Sequence, residues 1–188
     1  IIGPYYGSAS TKRKYYIFLI TCRLTHYVWT FKCVTKDCVT DAVKQMDLIA
    51  RTLRLKVRKF ITDPAGEHSS LRWKETCMTR GMKPIKLPAR SQYADYAERM
   101  IGEIKAAWVT TLVHAMLPIR EYCDSILEGV VHTHNILASE SLGWQSPFFL
   151  LYNVKPDLSR LRILGSTAWI IKPSSTLVGG SQYQGPLG

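Results

Sequence analysis

With 188 residues, 46% of them hydrophobic and 21% charged, the chain holds enough apolar material for a packed core, which excludes a disordered tail, a collagen-like repeat and a disulfide scaffold. Twenty-five lysines and arginines against fourteen aspartates and glutamates leave a formal charge of +11 and a pI near 9.6, the balance expected of a protein that meets a polyanion. Five cysteines without a C-x-x-C pair predict a reducing compartment rather than a disulfide framework, and no uncharged apolar run reaches transmembrane length. No stretch has the layout of a signal peptide, and the chain starts at Ile1 rather than methionine, as a fragment of a longer polypeptide would.

Residues 1–14 read as a loop, with Gly3-Pro4, Gly7-Ser8-Ala9-Ser10 and Lys12-Arg13-Lys14 in succession. The aromatic and β-branched run over 15–21 reads as a buried strand, and Arg23-Leu24-Thr25 turns it into a second strand over 26–34. So short a turn predicts an antiparallel hairpin. Over 37–54 the period changes: Val39, Val43, Met46, Ile49 and Leu53 fall on one face of a helix that Asp37 or Thr40 would cap. A strand over 56–62 ends at Asp63, where Pro64-Ala65-Gly66 breaks it. A helix over 68–80 is stopped by Gly81, and a short strand over 82–87 by Pro88.

A long helix over 93–117 would bury Ala97, Ile101, Ile104, Trp108, Leu112 and Ala115, and Pro118 ends it. A further helix over 119–138 would turn Ile126, Val130 and Leu137 inward. A last strand covers 163–171, and the Gly/Ser/Pro-rich stretch 173–188 reads as a loose tail. Trp29, Trp73, Trp108, Trp144 and Trp169 fit core positions. An antiparallel pair leading into alternating helices and strands is a mixed α/β sheet with helices packed on it.

Two carboxylates stand out. Asp63 sits at the carboxyl end of a buried strand, where open α/β sheets keep their ligands, although an aspartate before proline is also ordinary turn chemistry. Glu98 follows the inward Ala97 near the start of the long helix, on the edge of its apolar stripe, from which it can face the sheet; a solvated glutamate near a helix N-terminus is the plainer alternative. Carboxylates gathered from different elements bind hard divalent cations such as Mg²⁺ or Mn²⁺, and two such ions can drive phosphodiester chemistry. Basic residues crowd the same stretch of sequence. Lys56, Arg58 and Lys59 precede Asp63, and Arg90, Arg99 and Lys105 lie close to Glu98 in sequence. All six are candidates for phosphate contact, against the alternative of a merely solvated face. His132 and His134, two apart on one helix, point away from each other and do not share a metal; Cys33-x₄-Cys38 lacks the second pair that a zinc site needs.

Several segments resemble the integrase catalytic core of copia-type LTR retrotransposons, and more distantly retroviral integrases, in a truncated or degenerate form. Gly3-Pro4 with the hairpin that follows is similar to the family's opening. Residues 55–67 (LKVRKFITDPAGE) resemble its T-D-x-G-G-E-F strand end, and Ala97-Glu98-Arg99 its A-E-R helix. Leu117-Pro118 precedes a helix carrying Asn135, as in the family. Pro147 and residues 152–165 (YNVKPDLSRLRILG) resemble its K-P-D-x-s-x-L-R-x-F-G segment, the most specific of these matches.

The resemblance implies an RNase H-like fold with a mixed five-stranded sheet flanked by helices. It implies a catalytic core over 1–139 with its first strand truncated, a C-terminal extension over 140–172 and a tail over 173–188. It also implies metal-dependent DNA strand transfer by a three-carboxylate site holding Mg²⁺ or Mn²⁺. The second acid falls on Asp63 and the third on Glu98, thirty-five positions apart. The first acid would lie three residues before Gly3, ahead of Ile1, and no aspartate or glutamate occurs between Ile1 and Lys36, so weak or absent turnover is expected of these residues alone. DNA and further copies of the chain are the implied partners, with no membrane, and the nucleus is the implied location. The alternative from another class is a catalytically dead RNase H-like module for nucleic-acid binding or oligomerisation.

Overall fold

The computed structural model describes residues 2–6, 14–35, 38–62, 71–88, 92–159 and 161–167. Among these residues, five strands and five α-helices follow in the order β1 (Ile2–Tyr6), β2 (Lys14–Thr21), β3 (Val28–Cys33), α1 (Val39–Thr52), β4 (Lys59–Thr62), α2 (Leu71–Thr79), β5 (Lys83–Lys86), α3 (Gln92–His114), α4 (Ile119–Ile136) and α5 (Pro147–Tyr152), with a 3₁₀ turn at Glu140–Leu142 before α5. The strands form two small sheets among the described residues. One is antiparallel, β1-β2-β3; the other is the parallel pair β4-β5, with α2 in its crossover.

The apolar run of β2 is continuous because both of its faces are covered. Side chains alternate across a strand. Tyr15, Ile17 and Val28 join Met100, Ile104, Trp108 and Leu112 of α3 and Ile126, Leu127, Val130 and Val131 of α4 in one cluster. Phe18, Ile20 and Cys33 join Val39, Val43 and Met46 of α1, Phe60 of β4, and Trp73, Cys77 and Met82 in the other. The β2–β3 register, with Phe18 opposite Phe31 and Ile20 opposite Trp29, keeps each face intact. A slip of one residue would swap the faces.

Two polar devices pin this framework. The buried side-chain amide of Asn135 on α4 accepts from the Val28 amide and donates to the Val28 carbonyl, each at 2.8 Å, satisfying both backbone groups of that strand residue. Buried Asp47 on α1 accepts from Arg51 Nε at 2.8 Å and from Arg80 Nη1 at 2.6 Å, tying α1 to the residue just after α2.

The structure departs from the sequence-based expectations at several points. The opening is not all loop: β1 pairs with β2 through Ile2↔Ile17 and Tyr5↔Tyr15, and the irregular step between them takes up Gly3 and Pro4. Strand β3 begins at Val28 because His26 adopts φ 58° and closes a turn in which its amide donates to the Cys22 carbonyl at 2.8 Å. Helix α1 has Cys38 at its N-cap with no side-chain cap; Thr40 is buried, and Asp37 lies outside the described residues. Leu137 is exposed, since α4 ends at Ile136 and the chain turns to an extended conformation there.

Trp144 is 73% exposed in the turn after Gly143. Residues 161–167 form turns instead of a strand, and positions 168–171 of the expected strand, with Trp169, lie outside the described residues, as does the 173–188 tail. This segment docks on the helices: Leu164 packs where Gly129 leaves room on α4, and Gly165, at φ 82°, sits so close that an added Cβ would stand 2.4 Å from the Ala115 Cβ. The cysteines also depart from expectation. Cys33 and Cys38 are joined by a disulfide, their Cα atoms 5.7 Å apart across the link from β3 to α1, while Cys22 and buried Cys77 are free.

Candidate active site

The two candidate acids sit on different elements. Strand β4 carries alternating exposed and buried residues and ends at buried Thr62, whose hydroxyl makes no hydrogen bond among the described residues. Asp63 is the next residue in the chain and lies outside the described residues, as do residues 64–70. Glu98 stands in the second turn of α3. The buried line of that helix runs through Met100, Ile104, Trp108 and Leu112 at steps of four, with Ala97 and Ile101 only half-buried. Glu98 therefore lies on the flank and is exposed to solvent, which corrects the expectation that it faces the sheet.

Glu98 has no ion pair among the described residues and is an uncommitted oxygen donor on a rigid helix, which fits a hard divalent ion. No group of three or more metal-ligating side chains occurs among the described residues.

A cluster that the sequence did not announce lies on the same turns of α3. The His26 ring contacts the Tyr96 ring at 5.3 Å between centroids, and the Arg99 guanidinium lies 5.9 Å from the Tyr96 centroid. The Tyr96 and Thr21 hydroxyls are buried and face each other. Burial raises the Tyr96 hydroxyl's pKa, the effect opposed by the Thr21 contact. His134 on α4 lies 3.1 Å from the His26 carbonyl through Nε2. Burial first, then the charges of His134 and Arg99, hold His26 below its ordinary pKa; Glu103 opposes them. Arg99 in turn approaches Glu103 at 3.8 Å, an exposed pair of little energetic weight. The end of β2, the hairpin turn and the start of α3 are thus locked together one turn from Glu98. The only sequence sign of it was Arg99; a ring contact between residues seventy positions apart leaves no local pattern.

The candidate phosphate-contacting residues separate. Lys56, Arg58 and Lys59 are exposed on and before β4, and Arg99 and Lys105 are exposed on α3. Arg90 lies outside the described residues. Elsewhere, between β2, β3 and α4, Lys32 and the Tyr15 hydroxyl both bond Asp124 of α4 beside a small recess lined by Ile17, Thr30, Leu127 and Glu128. No helix among the described residues is long and apolar enough to cross a membrane.

No protein-family model matches the chain. Its sequence is 24% identical over 158 residues to a retrovirus-related Pol polyprotein from transposon RE1 of Arabidopsis thaliana, covering 83% of this chain and 10% of the relative. It is 24% identical over 175 residues to the retrovirus-related Pol polyprotein from transposon TNT 1-94 of Nicotiana tabacum, covering 92% of this chain and 13% of the relative. The chain thus spans about a tenth of the length of the curated relatives it matches. Among solved structures, the HTLV-2 integrase catalytic core domain in complex with magnesium superposes with a TM-score of 0.55 at 17% identity, over 76% of this chain and 87% of that one. A simian T-cell lymphotropic virus intasome chain superposes with a TM-score of 0.59 at 13% identity, over 86% of this chain and 55% of that one.

Proposed function

From a chain similar in sequence to copia-type retrotransposon Pol polyproteins, with the RNase H-like α/β fold of retroviral integrase catalytic cores, we propose that this polypeptide is an integrase catalytic core acting in metal-dependent DNA strand transfer. The observation that carries the reading is that each likeness extends over most of the chain: 83–92% of it by sequence and 76–86% by fold. In this reading the two small sheets are parts of one five-stranded sheet. Residues 1–139 form the core, 140–172 its C-terminal extension and 173–188 a tail.

Asp63 and Glu98 act as two of three metal-holding carboxylates, one at a strand end and one on a helix. Asp63 and Glu98 would hold divalent ions, whose chemistry there would be Lewis-acid activation of an attacking 3′-hydroxyl and stabilisation of charge on the leaving oxygen. The chain's own part is to hold the carboxylates on rigid elements and to fix the phosphate backbone with Lys56, Arg58, Lys59, Arg90, Arg99 and Lys105. The HTLV-2 core is a magnesium complex, and divalent ions of that kind suit oxygen donors such as Glu98. DNA, further copies of the chain and a nuclear site of action belong to the same reading. These 188 residues hold two of the three acids, so turnover by them alone is slow.

The test is strand transfer on end-labelled duplex DNA with Mn²⁺ or Mg²⁺, together with thermal melting in the presence of Mn²⁺. A Mn²⁺-dependent rise in melting temperature that disappears in Glu98→Gln supports the assignment, because a ligand of the native state raises its stability. Strong turnover that survives Asp63→Asn overturns it.

A further inference from the structure

Strands β4 and β5 lie in parallel register, Lys59 opposite Lys83, Phe60 opposite Pro84, Ile61 opposite Ile85 and Thr62 opposite Lys86. Paired residues of neighbouring strands share a side of the sheet and stand about 4.8 Å apart. Phe60 and Thr62 are buried, Phe60 against Trp73 and α1, so Lys59, Ile61, Lys83 and Ile85 point to the opposite face. That face is open: Lys59 and Lys83 are exposed and Ile61 is 38% exposed. Lys56 and Arg58, just before β4, and Lys86, at the end of β5, are exposed as well, although Arg58 and Lys86, the latter opposite Thr62, alternate to the other side of the ribbon.

Two lysines directly opposite on one face repel each other. None of these five cations has an ion pair among the described residues. Lysines on strand edges do guard against edge-to-edge aggregation, but one per edge suffices for that, and a like-charged pair stacked across two strands adds strain without adding protection. A dense row of external negative charge removes the strain.

We propose that the outer face of the β4–β5 ribbon, centred on Lys59 and Lys83, seats the phosphate backbone of duplex DNA. The inference rests on the strand-transfer reading for the choice of DNA as the polyanion and for Lys59 as a backbone contact; it adds Lys83, which the parallel register sets on the same face. The complementarity is of charge: a duplex presents one negative charge for about every 1.7 Å of axis, and lysines meet it as point charges without reading sequence. Ile61 and Ile85, the next pair along the same face, add no charge that would oppose a polyanion. Chain continuity joins the surface to the chemistry, because β4 runs directly from Lys59 to the residue before Asp63.

The test is equilibrium binding of a short fluorescent duplex across a salt series, with EDTA present so that carboxylate-held metal plays no part. In Lys59→Gln/Lys83→Gln the slope of log affinity against log salt falls by about 1 per lysine. The corresponding loss at about 0.1 M salt is about 60-fold, each lost contact scaling as roughly the 0.9 power of salt relative to 1 M. Lys74→Gln/Lys155→Gln removes the same charge from exposed positions elsewhere and leaves the slope unchanged. Lys59→Glu keeps or raises the melting temperature by pairing with Lys83 while weakening binding, so loss of fold is told apart from loss of the seat.

An unchanged slope in the double variant, or an equal loss in the control pair, overturns the proposal and leaves the strand-transfer reading standing. Absence of any DNA binding by the unaltered chain at low salt overturns both. Glu98→Gln binding DNA as tightly as the unaltered chain under EDTA, with the lysine variant weakened, supports the seat independently of catalysis. Displacement of the duplex by polyglutamate at lower concentration than by unlabelled DNA assigns the face to an acidic peptide instead and overturns the proposal.

Discussion

Asp47→Ala should be among the most damaging single changes outside the apolar core. The carboxylate is only 5% exposed and accepts charged hydrogen bonds from two arginines on one oxygen. The two contributions differ. The Arg51 side chain is 59% exposed and one helical turn away, so solvent screens that pair to about 0–1 kcal/mol. Arg80 is 30% exposed and bridges from beyond α2, so its bond falls nearer the range of about 1.5–3 kcal/mol for hydrogen bonds to charged groups. Removing the carboxylate also leaves the Arg80 guanidinium partly buried without its anion.

The expected loss is about 3 kcal/mol, a fall of about 6–12 °C in melting temperature for a chain of this size. Urea denaturation followed by tryptophan fluorescence measures it, since Trp73 is 1% exposed in the adjoining cluster. A double-mutant cycle of Asp47→Asn with Arg80→Gln should give a coupling of about 1–2 kcal/mol, and Arg51→Gln alone less than about 1. Asp47→Ala costing under about 0.5 kcal/mol, or Arg51→Gln costing as much as Arg80→Gln, would refute the reasoning.

Asn135→Ala strips partners from both buried backbone groups of Val28 and should cost about 2–4 kcal/mol, read from the same urea curves; a cost within about 0.5 kcal/mol of zero contradicts the account. Because His26 is held below its ordinary value of 6.5 in the fold, the unfolded chain binds more protons just under that pH. Its contribution to stability is complete above pH 6.5 and declines as pH falls toward the lowered folded value. Melting temperatures between pH 7 and 5 should drop less steeply in His26→Asn, which also tolerates the φ of 58°. Burial pushes the Cys77 thiol up to about 11, so at pH 8 iodoacetamide should modify half-buried Cys22 well before Cys77, as peptide mapping by mass spectrometry would report. Gly165→Ala sets a Cβ at 2.4 Å from that of Ala115 at a φ unsuited to side chains, and limited proteolysis should then open the chain near 161–167 first.

Local pattern carried the helices because a helix closes its own hydrogen bonds. The step of four through Ile104, Trp108 and Leu112 appears in the sequence as it does in the fold, and α1 and α4 start and stop within a few residues of where their periods begin and end. The aromatic run of β2 was equally legible, since burial on both faces leaves no polar position to disguise it. Strand β1 was not, because a strand exists only through its neighbour, and the pairing of Tyr5 with Tyr15 is a property of two segments. The disulfide between Cys33 and Cys38 likewise depended on how the end of β3 meets the start of α1.

The same division runs through the candidate site. Asp63 and Glu98 were legible as residue types at element ends, and the family resemblance they helped to suggest agrees with the relatives the chain matches. Tertiary packing decided that Glu98 stands in solvent on the flank of α3, because Met100 and not Ala97 leads the buried line. It also brought His26 to Tyr96 and set Lys59 opposite Lys83. The net charge of +11 could be counted from composition alone, but only the parallel register of two four-residue strands stacked part of it on one open face. Charge is a sum over residues, whereas a surface is a relation between segments that folding alone brings together.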